Sequence, residues 1–341
     1  MMSKLGWVFL LIVFEVAAAK LLFAQEPYYK GKTVRIIVGF SPGGGFDTYA
    51  RVIARHMGKH IAGEPTIIVE NMAGAGSLIA ANHGYNTAKP DGLTINNWIG
   101  GLVLQAVLGS KGIQFNAPKF EWVGALQDSQ SCGLTKASGV TNIQEWFTAK
   151  KPIKLGGTAS GSTDVDIPRV LKATLGLPIQ LVEGYKGTAD IRIAADSGEV
   201  SGYCGTWAGM KSTWSQALES GNASIVIQIN SKKNADLMNV PNAVDLAKTD
   251  EARDLIRMGI HYQADISRNY SLPPATPKDR VSILQAAFMQ TMKDKDFLAD
   301  AQKAKLSVEP ITGDDVSRIV SDYAVMKPEL VNKLREIMLS K

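Results

Sequence analysis

Only two cysteines and four histidines occur in 341 residues, which leaves little for metal or redox chemistry. Cys132, Cys204 and the scattered histidines make no ligand cluster of recognisable spacing. His56 and His60 share a helix face at i, i+4 but have no evident third ligand, so they read as surface residues. Beyond residue 30 no apolar run is long enough to span a bilayer. No basic run carries interleaved aromatics, which excludes nucleic acid as a partner. No period of 20–50 residues recurs, which excludes a solenoid.

Enzyme fingerprints are also missing or broken. Gly39-Phe40-Ser41-Pro42-Gly43 matches the nucleophile elbow of α/β-hydrolases. That elbow needs the N–H after the serine as an oxyanion donor, and Pro42 has none. Its triad also needs a late histidine, and only His261 is placed for it. An esterase using Ser41 is the alternative function. Gly74-Ala75-Gly76 starts a dinucleotide fingerprint, yet Ile79 holds the third glycine position. Gly31-Lys32-Thr33 resembles the end of a P-loop, with Glu26 where the leading glycine belongs. The expectation is therefore a protein without catalysis, cofactor or metal.

What is present begins with a leader. Lys4 precedes a stretch at 7–19 that is apolar except for Glu15, and Ala24 ends a plausible cleavage site. Residues 1–24 are read as a cleaved signal peptide and the protein as periplasmic. Export allows a disulfide between Cys132 and Cys204; two buried thiols are the alternative, and only geometry separates the two. The net charge is +5, and removing Lys4, Lys20 and Glu15, a net +1, leaves +4. That balance suits an anionic ligand.

From residue 25 onward strand and helix patterns alternate. Strands are expected at 33–38, 65–70 and 93–96, with helices at 48–61 and 77–85 between them. The order implies a parallel sheet with right-handed crossovers, whose ligands lie beyond the carboxyl ends of the strands. Strands at 153–156, 179–182, 200–204 and 224–229, with helices between, make a second α/β unit. The last third reads as largely helical, with 270–275 extended.

Three small-residue loops stand before helices. Pro42-Gly43-Gly44-Gly45-Phe46-Asp47 leads into the first, with Asp47 read as its N-cap. Gly74-Ala75-Gly76-Ser77 leads into the second, and Ser160-Gly161-Ser162-Thr163 opens one in the middle unit. Glycine lets backbone N–H groups reach a ligand, and a helix N-terminus adds unpaired donors and a positive dipole end. Together they form an anion site that needs no Arg or Lys. Trp98 and Trp207 follow expected strand ends, where they serve either as aromatic walls of a cleft or as core.

The order of these segments resembles the Bug family, the periplasmic solute receptors of tripartite tricarboxylate transporters. The carriers are Pro42-Gly43-Gly44-Gly45-Phe46-Asp47, Val69-Glu70-Asn71 with Gly74-Ala75-Gly76-Ser77, Lys89-Pro90-Asp91-Gly92, Gly184-Tyr185-Lys186-Gly187, Val240-Pro241, and Leu272-Pro273-Pro274 with Thr276-Pro277. The resemblance implies a two-lobed α/β fold of the periplasmic-binding-protein kind, each lobe a mainly parallel sheet flanked by helices. Lobe 1 is expected at 25–130 and 231–341, and lobe 2 at 131–230. A small organic acid would lie between them, held on lobe 1 by the 43–47 and 74–77 loops. Lobe 2 would contribute Ser160, Gly161, Ser162 and Thr163, with Tyr185, Gly187 and Thr188. Membrane transporter subunits are the implied partners and a monomer the implied state; a sensory receptor of the same fold is a further alternative. Asp164-Val165-Asp166-Ile167 departs from the family's His-Leu, and Phe46 stands where Thr is common. If either aspartate reaches the cleft, it disfavours a second carboxylate there.

Overall fold

The computed structural model describes residues 26–43, 45–158, 161–185 and 187–339. The leader, Gly44 and Ser160 fall outside the described residues. Two sheets flanked by helices make up the fold.

The first sheet is six-stranded, in the order β11-β4-β10-β3-β1-β2. Strands β1 (Thr33–Val38), β2 (Thr66–Asn71) and β3 (Thr94–Ile99) run parallel, joined by the helices Gly45–Met57 and Leu78–Asn86. Val34, Ile36 and Val38 point alternately into the core beneath Tyr49, Val52 and Ile53 of the first helix. This is the expected parallel unit. Three further strands complete the sheet, and two of them, β10 and β11, run against the rest and make it mixed. Strand β4 (Glu121–Leu126) and β10 (Arg268–Leu272) pair antiparallel, β10 also runs against β3, and β11 (Pro310–Thr312) runs against β4. Thus β10 returns from far along the chain and wedges between β3 and β4. Its first residue, Arg268, lies opposite Ile99 and Leu126, at the carboxyl ends of β3 and β4.

The second sheet has the order β7-β6-β8-β5-β9. Strand β6 (Ile153–Gly157) is parallel to β7 (Ile179–Glu183) and β8 (Gly202–Thr206), while β5 (Gln130–Thr135) is antiparallel to β8 and to β9 (Ala223–Gln228). Cys132 and Cys204 face each other in the β5–β8 register, with Cα atoms 4.0 Å apart, and form a disulfide. Both are fully buried.

The chain crosses from the first sheet to the second through 127–129 and leaves it through 229–231. The two crossings touch: Asn230 Oδ1 accepts from Gln130 N at 2.7 Å, and Ile229 N donates to Gln130 O at 2.9 Å. Not all of the chain after residue 231 packs on the first sheet. Helices Asp250–Ile256 and Pro328–Leu339 lie against helix Thr163–Leu175 of the second unit. A Cβ on Gly259 would stand 3.0 Å from Leu334 and 3.3 Å from Val170, so this junction is tight. Among the described residues no helix is long and apolar enough to cross a membrane.

Candidate functional site

The 43–47 loop follows β1 directly. Its helix begins at Gly45, so Asp47 is the third helical residue and not the N-cap. The carboxylate reaches back instead. Oδ2 accepts from Gly43 N at 2.8 Å and from Arg51 Nε at 2.9 Å, and Oδ1 accepts from Asn71 Nδ2 at 2.9 Å. Asn71 Nδ2 also donates to Phe40 O at 2.8 Å, which ties the end of β2 to the loop after β1. The Phe46 ring packs 4.3 Å from Phe40. Asp47 thus shapes the loop from within its own helix.

The Arg51 hydrogen bond, then Gly43 and Asn71, outweigh burial and hold the Asp47 carboxyl down at about 2. A depressed carboxyl stabilises the fold above its ordinary pKa near 3.8, and that contribution is lost as pH falls through about 2. Arg51 is half exposed, so screening reduces the effect. Asp47→Asn is expected to cost about 1 kcal/mol at neutral pH. The gap to wild type in urea midpoint should close between pH 4 and 2; a gap constant across that range would remove the charge from the explanation.

The 74–77 loop turns through consecutive positive φ angles: Gly74 147°, Ala75 46°, Gly76 60° and Ser77 70°. Two of these are not glycine, and such strain concentrates at functional loops. The Ser77 hydroxyl is fully buried and accepts from Ile99 N at 3.1 Å, so it ties the loop to the end of β3. Its side chain faces inward; what the loop can offer a ligand is backbone. The 74–77 loop packs on the end of β1, where a Cβ on Gly39 would stand 2.3 Å from Ser77 Cβ.

On the second unit, the carboxylates after the loop take its own donors. Asp164 Oδ1 accepts from Thr158 N at 3.1 Å, from Thr158 Oγ1 at 2.9 Å and from Ser162 Oγ. Asp166 Oδ1 accepts from Gly161 N at 3.1 Å. Both aspartates are buried. Burial, against Gly161 N and Arg169, raises the Asp166 carboxyl to about 7. Thr163 is the first residue of its helix. Gly161 approaches the first unit: its carbonyl oxygen is 3.8 Å from where a Cβ on Gly101 would stand, just after β3.

The remaining aromatic expectations divide. Trp98 is core, not cleft wall: it is fully buried among Phe115, Phe120 and Trp122, and its indole N–H donates to Ser271 Oγ at 3.0 Å. Non-local aromatics enclose it, and the run around residue 98 does not show them. Trp207 is half-buried and donates to Asp236 Oδ2 at 2.9 Å. Tyr185 donates to Glu199 Oε1 at 2.6 Å, and burial and then Glu199 push its hydroxyl up to about 12. Gly187 is half-buried and Thr188, which starts a helix, is exposed.

One residue at the site was missed. Arg268 is 8% exposed and ion-paired with Asp128 in the 127–129 crossing. Its guanidinium lies 5.2 Å from the Phe46 ring and 4.4 Å from the Tyr49 ring. The only local signal is a charge at the head of an extended run, which reads as a strand's solvated end.

The esterase alternative lacks its geometry. Among the described residues no histidine hydrogen-bonds Ser41: His56 meets Asp300, His60 meets Asp294, and His261 is buried with Nε2 unpartnered. Nor do the described residues include a group of three or more His, Cys, Asp or Glu placed to hold a metal ion.

Known proteins share the two-sheet fold. A TctC solute binding protein from Polaromonas is 19% identical, with 89% of this chain and 99% of that one covered at a TM-score of 0.69. MatC from Rhodopseudomonas palustris, solved with bound malate, is 20% identical over 90% of this chain and 99% of its own, TM-score 0.62. A further R. palustris protein, solved with adipate, is 20% identical over 89% and 97%, TM-score 0.65. At these identities the likeness is one of fold. A UPF0065 protein of Cupriavidus necator is 39% identical over 72 residues, so the match spans about a fifth of that relative's length, 21% of each chain. The family model described as tripartite tricarboxylate transporter family receptor matches residues 49–335, most of the chain, and the protein belongs to that family.

Proposed function

We propose that the protein captures a small organic carboxylate between its two units and delivers it to the membrane subunits of a tripartite transporter. The observation that carries this reading is the placing of two small-residue loops, 43–47 and 74–77, after the parallel strands β1 and β2, with Gly161 of the second unit approaching Gly101 just after β3. The malate and adipate seen in its structural relatives favour an acid of that size. The units correspond to lobes at 25–130 with 231–341, and at 131–230, which close about the paired crossings at 127–129 and 229–231. On the first lobe the contacts are backbone atoms of Gly44, Gly45, Phe46, Gly74, Ala75 and Gly76, while Gly43, whose N–H is held by Asp47, lines the loop. From the second lobe come Ser160 and Thr163, beside Gly161 and Ser162 whose donors Asp166 and Asp164 hold, with Tyr185, Gly187, Thr188 and Trp207 at the rim. The protein acts as a periplasmic monomer after loss of residues 1–24, without catalysis.

A thermal-shift screen of organic acids beside their amides tests this. A ligand that binds only the native state adds roughly 2.7 kcal/mol at about 100 times its dissociation constant. An upward shift with one or more acids and none with the matching amides is expected. Equal shifts with acid and amide would count against an anion site.

A further inference from the structure

Arg268 is turned toward the loop read above as the carboxylate seat. Strand β10 runs against β3, so its first residue comes up at the end of the sheet where β1 and β3 deliver their loops. The guanidinium sits under the first turns of helix Gly45–Met57, flanked by Phe46 and Tyr49. Its nitrogens are in different situations. Nη1 is ion-paired with Asp128, whose Oδ2 also accepts from Ser267 Oγ at 2.8 Å. Nε is buried with no hydrogen-bond acceptor among the described residues. Nη2 lies 3.7 Å from the point where a Cβ on Gly45 would stand.

A guanidinium carries five donors, and one carboxylate shared with a serine leaves several unmatched. Leaving charged donors unmatched in a buried place is costly. The helix beginning at Gly45 points its N-terminus, the positive end of its dipole, toward the same place. Two positive elements of independent origin therefore meet at Gly45, and a carboxylate bound there satisfies both.

We propose that Arg268 is the specificity-determining cation of the cleft, pairing through its Nη2 edge with the ligand carboxylate seated on the 43–47 loop. The proposal rests on the receptor reading above. Asp128 then acts as a competitor for the same guanidinium. It sits in the crossing between the units, so ligand charge and the geometry of that crossing are coupled.

Calorimetric titration with malate, adipate and benzoate, each beside its amide, supplies the test. Removing Arg268 alone leaves Asp128 buried without its partner and endangers folding. The decisive comparison is therefore Asp128→Asn against Arg268→Gln in the Asp128→Asn background. A charge-assisted hydrogen bond is worth about 1.5–3 kcal/mol, a tenfold change or more in affinity. Asp128→Asn should bind the acid more tightly than wild type, and the double variant at least roughly tenfold more weakly than Asp128→Asn. A merely structural role for Arg268 does not produce the gain in Asp128→Asn. If wild type binds an acid and the double variant keeps the affinity of Asp128→Asn within about twofold, Arg268 is not a ligand contact and the cleft reading stands. If wild type binds none of the three acids, the carboxylate reading falls and this one with it.

Discussion

Replacing both Cys132 and Cys204 by alanine is expected to lower the stability of the second unit by about 4 kcal/mol. The bond closes a loop with a sequence separation of 72, and the entropy it removes from the unfolded chain grows with the logarithm of that length. The loop spans β5 through β8, so it holds the central antiparallel pair of the second sheet while β6 and β7 are inserted between its ends. Both sulfurs are fully buried, so a reductant reaches them only when the unit opens. Adding dithiothreitol to the native protein should therefore change little over short times, yet it should lower the urea midpoint of wild type toward that of the double variant. A two-unit protein need not unfold in one step, so the measurement follows Trp146 and Trp214 fluorescence in variants lacking the other tryptophans. A midpoint in the alanine variant that matches oxidised wild type would mean that the unfolded chain gains nothing from the missing constraint.

The parallel part of the first sheet was legible because β1 and β2 carry β-branched runs set off by Gly39 and Pro65, and the loops after them carry small residues that have few other uses. The antiparallel half was not. Strand β10 reads Arg268-Asn269-Tyr270-Ser271-Leu272, and all five residues are buried. Polar residues at the first, second and fourth positions look like a solvated extended segment until the neighbours that enclose them are known. Strand β5, with Gln130 and Ser131 at its head, hides for the same reason. Since β10 brings in Arg268, the charge at the proposed site was lost together with the strand.

Within the site, the loops themselves were found but the roles of their side chains were not. Asp47 looks like a cap in sequence, yet the helix starts two residues earlier and its carboxylate folds back onto Gly43. Ser77 looks like a ligand hydroxyl or a cap, yet its positive φ turns it inward to Ile99. Local pattern announces neither fact, because each depends on a neighbouring strand end. The disulfide needed the β5–β8 register, which two isolated cysteines do not reveal.

The contact between the end of β1 and the 74–77 loop gives the second large expected effect. Gly39 follows β1, and its N–H donates to Asn97 O at 2.9 Å, so its backbone cannot withdraw. A Cβ there would meet Ser77 Cβ at 2.3 Å, Ser77 Cα at 3.0 Å and Ala80 Cβ at 3.3 Å. Gly39→Val must therefore push the 74–77 loop outward. Overpacking of this kind costs about 1–3 kcal/mol, and breaking the Ser77 tie to Ile99 N adds about 1–3 kcal/mol for a buried donor left unpaired. The displaced loop should also lose ligand affinity by at least roughly tenfold, since a backbone site offers no side chain that can follow the ligand. Gly39→Ala should show a smaller share of both effects. The packing argument makes a sharper demand in combination. Ser77→Gly removes the Cβ that Gly39→Ala strikes and relaxes a positive φ, at the cost of the hydroxyl that caps Ile99. The two substitutions should then be less damaging together than the sum of their separate costs, measured as a double-mutant cycle of urea unfolding with calorimetric affinities alongside. Simple additivity would show that Gly39 and Ser77 do not press on each other, and the two loops would then have to be treated as independent parts of the site.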